Sequence, residues 1–243
     1  MCVRTHYERA PIIQALIDVQ VGGGPPLDLA LLAALPPEIG ANFAVPAPIY
    51  VSNATIPLSS TGSPAFETFH VGHAFSGREN HKYALQARRD GLTVSRLAPY
   101  ETWEKMRDEF LRVWDWYEGV VRPTNILRLG VRYTNRFDLP LPFDDFREFL
   151  LTTPELGRNL PSALSGFAMQ LQIPQAEIPG LIILNEALVP PAREGVSSVI
   201  LDIDVMQTAD IPYNYVSRLE VLHEQENRFF EGSITEKARG LIR

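Results

Sequence analysis

Arg128, Arg132 and Arg136 recur at every fourth position of one apolar stretch. If residues 125–137 form a strand, alternation puts the three guanidinium groups on one face, with Thr134 between the last two and Gly130 leaving a gap. Leu127, Leu129, Val131, Tyr133 and Phe137 then point the other way. Residues 198–206 carry the opposite charge: Asp202 and Asp204 share one face, and Leu201, Ile203 and Val205 the other. Within one sheet these strands set an arginine row beside an aspartate pair. Three chemistries fit: a solvated lattice of ion pairs, each worth about 0 to 1 kcal/mol; a covered face, where losing one partner costs about 3 to 5 kcal/mol; or an anion site using the bidentate guanidinium fork. At about 3.3 Å per residue the outer arginines are roughly 26 Å apart, so one small anion cannot touch all three. An extended acidic partner can. Asp202 and Asp204, about 6.6 Å apart by the same rise, have a spacing compatible with paired-carboxylate hydrolysis. Any Asp-Ile-Asp strand gives that spacing, and no aromatic sugar platform lies nearby in sequence.

Glu226 falls inside the apolar stripe of a predicted helix, between Leu222 and Phe229-Phe230. A carboxylate there must find a partner or shift its pKa upward, as a functional acid in a pocket would. Trp116 points away from the apolar stripe of another predicted helix. It is a candidate interface residue, toward the other half of the chain or a second subunit of a homo-oligomer. His70, His73 and His81 have no cysteine or carboxylate cluster at ligand spacing, so no metal is assigned. Alternation sends His70 and His73 to opposite faces. Gly22-Gly23-Gly24 precedes Pro25-Pro26 and not Lys-Ser/Thr, and Ser165-Gly166 lacks a nucleophile signature. No cofactor is implied. Enzyme and binding protein both remain open as classes.

The elements that must hold these residues alternate strand and helix. Ile12–Val21 reads as a strand, followed by a short helix at 27–35 bounded by Pro25-Pro26 and Pro36-Pro37. Strands are predicted at 50–58, 68–75, 83–89 and 92–97, the last two joined by an Asp90-Gly91 turn in which glycine accepts positive φ. Residues 99–121 form an amphipathic helix with Trp103, Met106, Phe110, Trp114, Tyr117 and Val121 in one stripe. The order then restarts: a strand at 125–137, a short helix at 143–151, strands at 167–173, 181–189 and 198–206, and a helix at 212–231 whose inner face holds Tyr215, Leu219, Leu222, Phe229 and Phe230. This predicts an α+β fold of antiparallel sheet with two long helices. Residues 1–122 and 123–243 would be packed halves of a tandem β-α-β-α duplication, in the element order of TATA-binding-protein-like folds. The rival arrangement is a single helix-grip sheet.

Several stretches together resemble a sporadically distributed, uncharacterised bacterial protein family. They are Tyr7-Glu8-Arg9-Ala10-Pro11-Ile12 with Ala15-Leu16-Ile17-Asp18-Val19, Pro99 to Glu104, Arg132 to Arg136, Leu201 to Val205, and Phe230-Glu231 with Ile234-Thr235-Glu236. The resemblance spans nearly the whole chain and implies a bacterial, soluble, full-length member. It supplies no site residue. With 243 residues, 45% of them hydrophobic, the chain can bury a large core without staples. A single cysteine, Cys2, excludes an internal disulfide. The polar start and the lack of an apolar run of about 20 residues point to the cytoplasm and away from a membrane. A net charge of −7 disfavours nucleic acid, whatever the mildly basic stretch from Arg78 to Arg96 contributes. The expected function is therefore a binding or accessory protein that engages an acidic or protein partner through the arginine face. The alternatives are an enzyme or binder of an anionic small molecule beneath the last helix, and nucleic-acid binding through a concave sheet.

Overall fold

The computed structural model describes residues 7–55, 65–79, 81–157, 159, 164–175, 177–209, 211 and 215–243. Cys2, the end of the strand expected at 50–58 and the start of the helix expected at 212–231 lie outside them. Nine strands form one open sheet: β1 (Ile12–Gly22), β2 (Ala47–Thr55), β3 (Ala65–Ser76), β4 (Tyr83–Arg88), β5 (Gly91–Leu97), β6 (Asn125–Pro140), β7 (Ala168–Gln175), β8 (Gly180–Val189) and β9 (Val196–Gln207). Their spatial order is β2-β3-β4-β5-β1-β6-β9-β8-β7, and every neighbouring pair is antiparallel. The α+β expectation with an antiparallel sheet therefore holds.

Two long helices, α3 (Trp103–Val121) and α4 (Val216–Ser233), lie on one face of this sheet, α3 against β5 and β1 and α4 against β6 and β9. Helix α3 starts later than the apolar pattern suggests because Thr102 caps it, its hydroxyl accepting the Lys105 N–H at 3.3 Å. All six residues of its expected stripe are buried. They share one core cluster with Ile17 and Val19 of β1, Leu92 and Val94 of β5, Leu129, Val131 and Tyr133 of β6, and Leu201, Ile203 and Val205 of β9. The helices meet where Trp103 stacks on His223, with ring centroids 4.1 Å apart and planes 9° apart.

Local geometry departs from expectation in four places. The helix expected at 27–35 is two single turns, α1 (Ala30–Ala33) and α2 (Pro37–Gly40), because Pro37 sits at the first helical position, where its missing N–H costs nothing. The helix expected at 143–151 is one 3₁₀ turn, Phe146–Glu148, with the Asp145 carboxylate accepting the Arg147 N–H at 2.8 Å. Gly91 does not have positive φ. It pairs with Arg88 across the hairpin, and a Cβ there would lie 2.5 Å from the Val19 carbonyl of β1, so the glycine serves a close approach. A register shift between β1 and β6 makes Leu127 a bulge residue, 49% exposed instead of facing the core. After α4, the chain ends in α5 (Glu236–Ile242), capped by Thr235.

Candidate functional site

The predicted arginines lie on the face of β6 opposite α3 and α4. Cross-strand pairing sets Asp18 of β1 on that face through its register with Gly130 and Thr93, and sets Asp202 and Asp204 there through Thr134 and Arg132. Arg128 lies between two carboxylates, donating Nη1 to Asp18 at 2.5 Å and Nη2 to Asp204 at 2.9 Å. Asp18 also accepts from Thr93 at 2.5 Å and from Arg88 of β4 at 3.2 Å. Arg132 leans diagonally to Asp202 in a two-point fork, Nε at 2.7 Å and Nη2 at 2.6 Å, and Thr134 and Asn185 also donate to Asp202. Arg136 turns away from the row. Its Nε reaches Asp138 at 3.2 Å, and its Nη2 reaches the Pro190 carbonyl and the Ser198 hydroxyl.

Four guanidinium groups (Arg88, Arg128, Arg132, Arg136) thus meet four sheet carboxylates (Asp18, Asp138, Asp202, Asp204). The side chains of the Asp18–Arg128–Asp204 bridge are only 12–19% exposed, so breaking it resembles breaking a buried pair more than a surface one. Burial pushes the Asp204 carboxyl up; Arg128 and Arg132 pull it down, Asp202 and Asp18 reinforce the rise, and the result stays above the usual carboxylate range. Its Oδ1 is buried without a hydrogen-bond partner among the described residues. Arg132 differs from its neighbours: its side chain is 42% exposed, against 19% for Arg128 and 31% for Arg136, and its Nη1 makes no hydrogen bond among the described residues.

The other sequence candidates lie elsewhere. Trp116 is half-buried, packed against the rim of the core. Glu226 is 3% exposed, and burial alone holds its carboxyl well above the usual range; no arginine among the described residues pairs with it. It lies close to a chain of buried polar groups, in which the Tyr100 and Tyr133 hydroxyls are 2.8 Å apart and Tyr133 is 3.4 Å from His223 Nδ1. Arg96 of the mildly basic stretch lies on the helix face, donating to Glu101 and the Pro99 carbonyl. Arg88 does join the row. A bulge between Ile49 and Tyr50 in the β2–β3 register cancels the alternation of β3 and brings the His70 and His73 rings within 4.8 Å. No group of three or more metal-ligating side chains occurs among the described residues.

Glu186 was not singled out by its sequence context. It is fully buried on the helix face of β8, neither carboxylate oxygen has a hydrogen-bond partner among the described residues, and desolvation raises its pKa to about 7. The signal was present: Ile182, Leu184, Glu186 and Leu188 alternate on one face of that strand. Arg9 and Arg193 were also not singled out, and nothing in their own segments marks them, because they meet only through the fold. No helix among the described residues is long and apolar enough to cross a membrane. No family model matches the chain, and neither a curated protein nor a solved structure matches it.

Proposed function

We propose that this chain is a non-enzymatic, cytoplasmic binding or accessory protein, and that it engages an acidic side chain of a protein partner on the open face of its sheet. One observation carries the reading: Arg132 is the most exposed guanidinium of the row, fixed by two hydrogen bonds to Asp202, with further N–H donors uncommitted. An arginine held in one geometry loses little side-chain entropy when a second carboxylate arrives, which suits it to recognition. The same geometry narrows the expected ligand. Arg128, Arg88 and Arg132 are each ion-paired with an aspartate, so the surface offers one exposed guanidinium with spare N–H donors and a polar surround and not a continuous positive stripe. That pairing, with a net charge of −7, disfavours nucleic acid.

The reading includes an internal duplication of TATA-binding-protein-like order. What supports it is the strand sequence outward from the β1–β6 seam: β1 is followed by β5, β4, β3 and β2, and β6 by β9, β8 and β7, with α3 and α4 each closing its half. The test of function is copurification from the host, comparing wild type with Arg132→Glu and with Arg147→Glu as a surface control. Loss of a partner in the first variant alone is expected. An unchanged partner list would remove the role given to this face.

A further inference from the structure

Pro11 determines where a second site forms. It cannot donate to a ladder, and β1 starts only at Ile12, so the pairing of β1 with β6 ends at Asn135 while β6 continues beside β9 to Pro140. The Arg136 N–H donates to the Pro11 carbonyl at 2.8 Å. Two residues on, alternation directs the Asp138 N–H to the same edge, where no strand follows. A cavity of about 340 Å³ opens there, beside the last residues of α5.

Three arginines from distant parts of the chain line this cavity: Arg9, Arg136 and Arg193. Asp138 is the single carboxylate among the described side chains that line it, and Pro11 and Leu241 contribute apolar wall. The partners of each guanidinium show what it has left to donate. Arg9 gives Nε and Nη2 to the Arg243 carbonyl, which fixes the group and leaves Nη1 uncommitted. Arg136 is held by Asp138, Ser198 and the Pro190 carbonyl, again leaving Nη1. Arg193 is exposed and makes no hydrogen bond or ion pair among the described residues. Burial raises the Asp138 carboxyl, but bonds from Ser198 and Arg136 and the nearby charge of Arg193 outweigh it and keep it ionised. Asp138 therefore cancels one positive charge and orients Arg136, and Arg9 and Arg193 keep N–H donors for a ligand. Two guanidinium groups fixed by backbone and side-chain bonds, with a third free to close, suit a bidentate oxyanion. The apolar wall suits a carbon skeleton attached to it.

We propose that this cavity binds a small carboxylate carried on a short apolar body, with the carboxylate held between Arg136, Arg9 and Arg193 and the body against Pro11 and Leu241. The site is separate from the Arg132 surface, and either can stand without the other. Hexanoate and inorganic phosphate serve as probes, titrated calorimetrically into the full chain at low ionic strength, where surface screening is weakest. Hexanoate is expected to bind more tightly than phosphate, and Arg193→Ala to weaken hexanoate by roughly tenfold or more with an unchanged melting temperature, since Arg193 supports no contact in the fold. Arg9→Ala should weaken it similarly and gives a second reading of the same site. Absence of hexanoate binding to the wild type overturns the proposal. Phosphate binding as tightly as hexanoate overturns the ligand class, and hexanoate affinity unchanged in Arg193→Ala overturns the location.

Discussion

Two buried carboxyls, Glu186 and Glu226, give this fold a particular response to pH. Burial raises the pKa of Glu186 from 4.5 to about 7. Between those values the native state holds a proton that the unfolded chain releases, so stability is fully present below pH 4.5 and falls as the pH rises through that window. The full loss from this group is roughly 3 kcal/mol. Glu186→Gln should therefore flatten the fall in melting temperature between pH 4.5 and 7, with little effect at the acid end; a variant whose pH profile overlays the wild type contradicts this. Glu226, shifted in the same direction by burial alone, should behave similarly, so Glu226→Gln is expected to be neutral at low pH and stabilising above it. Arg128 holds Asp18 and Asp204 together, and Arg128→Met removes the guanidinium bonded to Asp204 while Asp18 keeps Arg88 and Thr93, at a cost of about 3 kcal/mol in denaturant unfolding. Adding Asp204→Asn should recover part of that loss, because burial already opposes ionisation of Asp204.

Elements with a regular period were legible from sequence, and irregular ones were not. The stripe of α3 and the alternation of β6 and β9 follow directly from residue spacing, which is why the arginine row and the aspartate pair were found together. Asp18 and Arg88 were less visible, since they join the row through register between distant strands, whereas Asp138 follows Arg136 two positions on along β6 itself. Bulges caused the clearest errors: one at Leu127 exposed an expected core residue, and one in β3 brought His70 and His73 together. The cavity lined by Arg9, Arg136 and Arg193 depends on where β1 stops, a tertiary fact that only Pro11 hints at. The tight contact of β5 with β1 gives a prediction at this scale. Gly91→Ala would place a Cβ 2.5 Å from the Val19 carbonyl, and should destabilise the protein by about 1–3 kcal/mol in chemical denaturation. An unchanged midpoint would mean that the two strands can separate freely at that point.

Across the whole molecule, a single sheet joins the segments 1–122 and 123–243 along the β1–β6 seam, and one core cluster lies under both long helices. The two segments should therefore unfold together, as one calorimetric transition; two resolved transitions would mean that they are independent domains. The helices occupy one face and leave the other to a charge-balanced lattice from which Arg132 is the most exposed guanidinium. The most direct test of that surface is photo-crosslinking in the host cell from position 20, where Gln20 is exposed beside Arg128, against position 115 on the outer side of α3. A protein adduct formed from position 20, absent from position 115 and lost when Arg132→Glu is introduced, is the predicted result. Equal adducts from both positions, or an adduct from position 20 that survives Arg132→Glu, would contradict it.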